Sequence, residues 1–141
     1  MRILVTGSRD WPDRDAIWTA LDALAEAARS VGEPVSVVHG CARGADTFAD
    51  QWARARQLEG WPIHIDRHPA DWGKHGRRAG HVRNAKMVRL GADVCLAFIK
   101  GGSSGATACA ELAEDHSIRT ERFVYLTADG GYSDSPPEAT A

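Results

Sequence analysis

Five short apolar runs, separated by longer stretches with helical spacing, constrain the fold of this sequence most strongly. Most of the runs place valine, isoleucine and leucine next to one another, which is typical of strands covered on both faces. Strands of that kind form parallel sheets, in which a helix crosses over between successive strands. The first, second and fourth runs are expected at the centre of the sheet. The predicted strands are residues 2–7, 35–40, 61–66, 93–99 and 122–127.

The stretches between the runs carry apolar residues at the spacing of amphipathic helices. Between the first two runs, Ile17, Leu21 and Ala28 repeat at that spacing, and Asp13 or Asp15, after Pro12, is a helix-start signal. We predict a helix from about residue 14 to residue 30. Further helices are predicted by Phe48 with Trp52, by Val82 with Val88, and by Ala108 with Leu112.

The length of 141 residues fits one domain, predicted over residues 1–127. Residues 128–141, ADGGYSDSPPEATA, lack apolar periodicity, so we expect a disordered tail. The three cysteines, Cys41, Cys95 and Cys109, lack the spacing of a structural zinc site, and no apolar run reaches the roughly 18 residues of a membrane span. These features predict reduced thiols, no membrane partner and a cytoplasmic location.

Positive charge is concentrated in one segment. The formal net charge of −2 argues against the overall basic excess of general nucleic-acid binders. However, seven of the seventeen Lys and Arg residues lie between Arg67 and Arg89, with Asp71 as the single acid. This segment predicts a local site for an anionic partner.

Four predicted loops combine glycine with a hydroxyl group or an arginine, and each follows the carboxyl end of a strand. They read TGSRDW, HGCARGAD, RHPADWGKHGRRAGHVRN and KGGSSGAT. Ligands of open α/β sheets bind at that edge, and a glycine at a helix N-terminus lets phosphate oxygens approach the backbone N–H groups. For any single loop, a plain strand-to-helix turn is the more frequent explanation. The convergence of four such loops predicts a phosphate-binding site.

Among the cations of the long third loop, Arg83 is our strongest candidate for binding an anion. Arg83 and Asn84 lie at the expected start of the third helix. For the other cations of this loop, a solvated surface is the alternative. Trp72 could stack on a base, although capping the core is the commoner role of a tryptophan, and the same holds for Trp11. Asp46 fits a first-turn helix acid and could also bind ribose hydroxyls.

Two other chemistries are less well supported. His64, Asp66 and His68 alternate along one strand, but without a fourth ligand they do not predict a metal site. The GGSSGAT loop lacks the Gly-Lys-Ser/Thr ending of a Walker sequence, and GSRDWP lacks the later glycines of a dinucleotide fingerprint. Kinase and standard NAD-dehydrogenase functions are therefore excluded, and no nucleophile–base pair is evident.

The chain contains, in this order, the motifs ILVTGSRDW, VHGCARGAD, PADWGKHGRRAGHVRNAKMV and GADVCLAF with GGSSGAT. Over about residues 2–126, the order and spacing of these motifs resemble the SLOG superfamily, and within it the YspA-like branch. This superfamily includes the DNA-uptake protein DprA (Smf), the Lonely Guy hydrolases, and bacterial and phage relatives. The resemblance implies a Rossmann-like three-layer sandwich with a mostly parallel five-stranded sheet and a nucleotide pocket. The expected ligand-binding residues are Gly7, Ser8, Arg9, Gly40, Arg43, Gly44, Asp46, Trp72, Arg83, Asn84, Gly101, Gly102, Ser103, Ser104, Gly105 and Thr107.

One departure from the superfamily bears on chemistry. Lonely Guy hydrolases carry a Pro-Gly-Gly-x-Gly-Thr loop followed by a catalytic glutamate, whereas this chain has Lys100 for the proline and Ala108 and Cys109 at the acidic positions. Glu111 lies about one turn too late, so Glu111 and Asp46 are only weak catalytic candidates.

Three functions therefore stay open. The first is binding of a nucleotide or nucleotide-derived ligand, including one related to ADP-ribose or NAD. The second is hydrolysis of a nucleoside-monophosphate N-glycosidic bond, and the third is single-stranded DNA binding as in DprA. A small-molecule nucleotide is the expected partner, a homodimer is left open, and no metal is expected.

Overall fold

The computed structural model describes residues 1–126 in full and the backbone of residues 131–133. The strands form one sheet in the order β3-β2-β1-β4-β5-β6, and β1 to β5 are all parallel. This arrangement confirms the predicted Rossmann-like α/β fold and the central position of the first, second and fourth strands. The strands are β1 (Arg2–Gly7), β2 (Val35–His39), β3 (Ile63–Arg67), β4 (Val94–Lys100), β5 (Arg119–Leu126) and β6 (Gly131–Ser133).

The short strand β6 differs from the expectation of a disordered tail. Its backbone pairs antiparallel with β5, with Gly131 opposite Leu126. Strand pairing at a sheet edge is made by backbone groups, so it can occur in a segment without apolar periodicity. The rest of the predicted tail, residues 128–130 and 134–141, lies outside the described residues.

Within residues 1–126, five α-helices and one 3-10 turn connect the strands. The helix α1 begins where the sequence predicts, because the Asp13 side chain accepts a hydrogen bond from the Ala16 N–H at 3.1 Å. None of the helices within residues 1–126 is long and apolar enough to cross a membrane. The helices are α1 (Arg14–Ser30), α2 (Ala45–Leu58), α3 (Trp72–His75), α4 (Ala79–Leu90) and α5 (Ser104–Asp115), and the 3-10 turn is Gly76–Arg78.

Alternate residues of the central strands enter two separate apolar layers, as a sheet covered on both faces requires. On one face, Ile3 and Val5 of β1 pack with residues of α1 and α2. On the other face, Leu4 packs with Met87 of α4 and Cys109 of α5. The result is a three-layer sandwich in which the carboxyl ends of β1, β2, β3 and β4 share one edge.

Candidate functional site

A cavity of about 550 Å³ lies at this edge of the sheet, and we call it the cleft. Its walls come from the segments after β1, β2 and β4 together with α3, the 3-10 turn and α4. It falls within the 300–1,000 Å³ range of small-molecule sites. The expected binding residues that line it are Gly7, Arg9, Arg43, Asp46, Trp72, Arg83, Asn84, Ser103, Ser104 and Gly105.

The remaining expected residues lie behind or beside the cleft. Ser8 is buried, and its hydroxyl accepts a hydrogen bond from the Lys100 N–H at 2.8 Å, which ties the β1 loop to the end of β4. Gly44 adopts a positive φ of 73° and packs on the carbonyls of Ser8 and Arg9. Both residues therefore shape the cleft. The cleft is also not lined by Gly101, Gly102, Thr107 or the weak catalytic candidate Glu111. Glu111 is exposed on α5.

The loop between β2 and α2 is held by two side chains. Asp46 Oδ2 accepts hydrogen bonds from the N–H groups of Gly40 at 3.0 Å and Ala42 at 3.2 Å. His39 Nδ1 accepts from the Cys41 N–H at 3.0 Å, so its Nε2 is left to donate to Asp50 at 2.7 Å. Burial raises the pKa of Asp46, and this effect outweighs the nearby His39, which lowers it. The cleft thus contains a carboxyl group whose pKa lies above its ordinary value.

Arg83 does not occupy a helix start, contrary to the sequence expectation. The helix α4 begins at Ala79, which places Arg83 and Asn84 in its second turn. The Arg83 guanidinium donates to the Gly40 carbonyl and, at 3.4 Å, to the His68 carbonyl, while its Nε donates to Asn84 Oδ1 at 2.7 Å. A side chain at Gly40 would overlap this guanidinium. Arg83 is therefore a fixed charge that joins three segments of the cleft.

The two loop tryptophans have different roles. Trp11 is 2% exposed and packs edge-on against Phe98 with ring centroids 5.4 Å apart, so it belongs to the core and cannot stack on a ligand. Trp72 is 50% exposed, and the Arg9 guanidinium lies 5.4 Å from its ring centroid. Together Trp72 and Arg9 form a cationic and aromatic wall on one side of the cleft.

The arginines of the cleft are not neutralised by the protein. Within residues 1–126, no ion pair joins Arg9, Arg43, Arg77 or Arg83 to a carboxylate. By contrast, Asp10, which also lines the cleft, lies 3.5 Å from Lys100. Four cations in one cavity create a strongly positive potential, because the low-dielectric walls focus the field.

A second cavity of about 290 Å³ adjoins the cleft, and we call it the side pocket. Of these two cavities, the side pocket alone is lined by Gly40, Cys41, Pro69 and Ala70. Arg9, Ala42, Arg43, Trp72 and Arg83 line both cavities. The arginines thus stand at the boundary between two spaces.

Sequence reasoning missed several lining residues, among them Thr6, Asp10, Gly80, His81 and Met87. Thr6 and Met87 are buried and belong to regular elements, where nothing in the pattern separates a cavity wall from ordinary core. The density of cations in residues 67–89 points to this segment, but it does not distinguish Arg77 from the neighbouring cations.

The three alternating residues His64, Asp66 and His68 do not converge on one point. Asp66 lies 3.2 Å from Arg2 and 3.0 Å from His68, while His64 is exposed. Across the part of the chain that the structure describes, no three His, Cys, Asp or Glu side chains are grouped to hold a metal ion.

The chain is similar to a known protein family and to a phage protein. The model of the YspA, cpYpsA-related SLOG family matches residues 1–75, which run from β1 through α3. The chain belongs to this SLOG family. A relative from Mycobacterium phage D29, described as Gene 61 protein, is 47% identical over 122 residues, which cover 86% of this chain and 95% of the relative. The match of this SLOG chain to its family model includes the loops after β1, β2 and β3, three of the segments that meet at the edge of the sheet where the cleft lies.

Proposed function

We propose that the cleft binds a phosphate-bearing nucleotide. The observation that carries this proposal is the group of four arginines, Arg9, Arg43, Arg77 and Arg83, which line one cavity without a carboxylate partner among the described residues. Arg9, Arg43 and Arg77 are exposed and Arg83 is half-buried, so the four cations together attract an anion from solvent into the cavity. Phosphate fits because a guanidinium can donate two parallel hydrogen bonds to its oxygens.

The start of α5 supports the same assignment. Ser104 and Gly105 are the first residues of this helix and line the cleft, and Ser103, the residue before them, makes no side-chain cap. Backbone N–H groups in the first turn of a helix have no partner within the helix. These groups and the helix dipole favour an anion in the part of the cleft that the start of α5 lines.

A ligand with two halves joined by a diphosphate, such as ADP-ribose or an NAD-related compound, suits the two adjoining cavities best. Arg9, Arg43 and Arg83 line both spaces, so a diphosphate between them would leave one half of the ligand in the cleft and the other in the side pocket. Trp72 offers a half-exposed ring on which a base could stack. A mononucleotide would fill only the cleft.

Thermal unfolding with AMP, ADP-ribose and NAD tests two claims, that a nucleotide binds and that the preferred nucleotide spans both cavities. A ligand that binds only the folded state adds about 2.7 kcal/mol to the unfolding free energy at a hundredfold excess over its Kd. We expect ADP-ribose or NAD to stabilise the protein more than AMP does. Ala70→Trp, which fills the side pocket, should remove that difference and leave the response to AMP unchanged, whereas Ala27→Trp on the exposed surface of α1 should change neither.

The possible results separate the alternatives. No stabilisation by any of the three nucleotides would contradict nucleotide binding. Equal stabilisation by AMP and ADP-ribose, unaffected by Ala70→Trp, would contradict the two-cavity ligand only. Free adenine or nicotinamide in the samples after incubation would support the hydrolase function, for which the raised pKa of the buried Asp46 carboxyl is the one favourable observation.

A further inference from the structure

Asp46 combines deep burial with an unused hydrogen-bonding atom. It lies in the first turn of α2, is 5% exposed and lines the cleft. Its Oδ2 is occupied by the N–H groups of Gly40 and Ala42, but its Oδ1 has no hydrogen-bond partner among the described residues. Buried polar atoms of folded proteins are nearly always paired, so an unpaired acceptor in a cavity wall points to a ligand.

The charged and titratable groups around Asp46 do not use this oxygen. Arg83 acts on Asp46 through its charge, and the thiol of Cys109, whose pKa is raised by burial and further by Asp46, lies nearby. His39 is engaged with Cys41 and Asp50, and the hydrogen bonds of Arg83 go to Gly40, His68 and Asn84. The donor for Oδ1 must therefore come from outside the protein.

We propose that Asp46 binds the 2′ or the 3′ ribose hydroxyl of the nucleotide and thereby selects against nucleotides that lack this hydroxyl. This inference rests on the proposed function, because the arginines must first hold the phosphates. The sugar adjoins the phosphate in a 5′ nucleotide, so phosphates at the arginines bring the sugar close to the start of α2. Asp46 then determines specificity for the sugar, while the arginines supply most of the attraction.

A hydroxyl suits this carboxyl better than an amino group of the base does. Burial favours the neutral form of Asp46, whose free oxygen can be a donor or an acceptor according to where the proton sits. A hydroxyl can accept from the acid or donate to the carboxylate, whereas an exocyclic amino group can only donate. A hydroxyl therefore satisfies the site in either protonation state.

Calorimetric titration of the wild-type protein with ADP, 2′-deoxy-ADP and 3′-deoxy-ADP tests the inference without any substitution. We expect at least one deoxy analogue to bind about tenfold more weakly than ADP or worse, because a buried polar group would be left unpaired. Inosine diphosphate, which lacks the amino group, should bind as ADP does. Pyrophosphate contains no sugar and reports on the arginines alone.

Asp46→Ala provides the second test. It removes the free oxygen, whereas the NH₂ group of an asparagine could still donate to a hydroxyl. The change also removes the acceptor of the Gly40 and Ala42 N–H groups, so urea unfolding checks that the variant is folded. We expect the ratio of ADP affinity to deoxy-ADP affinity to approach one and pyrophosphate binding to persist. Asp15→Ala, on the exposed surface of α1, is the matched control and should keep the wild-type ratio.

Each result decides between the two proposals. Discrimination in the wild type that disappears in Asp46→Ala supports the role of Asp46. Equal binding of ADP and both deoxy analogues by the wild type overturns it while nucleotide binding stands, and this result decides even if Asp46→Ala does not fold. Discrimination that persists in a folded Asp46→Ala variant, or that depends on the amino group, also overturns it. Failure of ADP and pyrophosphate to bind at all overturns the proposed function and this inference together.

Discussion

Two arginines of the cleft differ in how the protein holds them. The guanidinium of Arg83 is anchored on the carbonyls of Gly40 and His68, whereas Arg43 is exposed and makes no ion pair within the described residues. An anchored arginine contributes to both folding and binding, but an unanchored one contributes to binding alone. Stability and affinity should therefore respond differently to substitution at the two positions.

Arg43→Ala should weaken ADP binding about tenfold, the scale of one charge-assisted hydrogen bond, and leave the unfolding free energy unchanged. Arg83→Lys should weaken binding and also lower the unfolding free energy by about 1 kcal/mol or more, because lysine cannot reproduce the fork that reaches two carbonyls. Calorimetric titration and urea unfolding measure the two quantities. Arg54→Ala, which removes an exposed charge that contacts Asp50, is the control and should leave affinity intact.

A loss of stability in Arg43→Ala with unchanged affinity would show that Arg43 is a structural residue. The glycines around it would then serve only the turn between β2 and α2.

At the scale of elements, the junction between β2 and α2 depends on Gly44. This residue has a φ of 73°, and a Cβ there would overlap the backbone carbonyls of Ser8 and Arg9. Gly32, after α1, has a nearly equal φ of 71° but no atom within 4 Å of a Cβ. An alanine at Gly32 would therefore meet conformational strain alone, whereas an alanine at Gly44 would also meet a steric overlap.

Gly32→Ala should lower the unfolding free energy by about 1 kcal/mol, the cost of a positive φ for alanine. Gly44→Ala should cost about 3 kcal/mol or more, because backbone carbonyls must also shift. Urea unfolding of both variants measures the difference. Equal losses would mean that the β1 loop yields readily to the start of α2, and the cleft would then lack a rigid wall.

The start of α4 shows where sequence patterns were insufficient. Glycine and histidine at positions 80 and 81 are poor helix formers, so the pattern favoured a loop up to Arg83. In the structure, α3 and the 3-10 turn lead directly into α4 at Ala79, and Ala79 is fully buried. Burial of this residue outweighs the weak propensity of its neighbours, and the propensities of a single sequence do not reveal that.

At the scale of the molecule, the parallel sheet followed from its apolar runs, because strands covered on both faces leave a continuous apolar pattern. The convergence of the loops followed from the topology, since parallel strands end at one edge. What did not follow was the division of roles among the residues in those loops. Ser8 and Trp11 have side chains that could bind a ligand, yet both are buried in the structure, as tertiary packing decides.

The location of the nucleotide site is the central claim, and amide chemical-shift mapping tests it most directly. In a ¹⁵N-labelled sample titrated with ADP, the largest changes should fall on Gly40, Arg43, Ser104 and Gly105 and on the indole N–H of Trp72, all of which line the cleft or the side pocket. Changes confined to the groove between α1 and β5, lined by Leu24 and Phe123, would contradict the claim, as would no change at millimolar ADP.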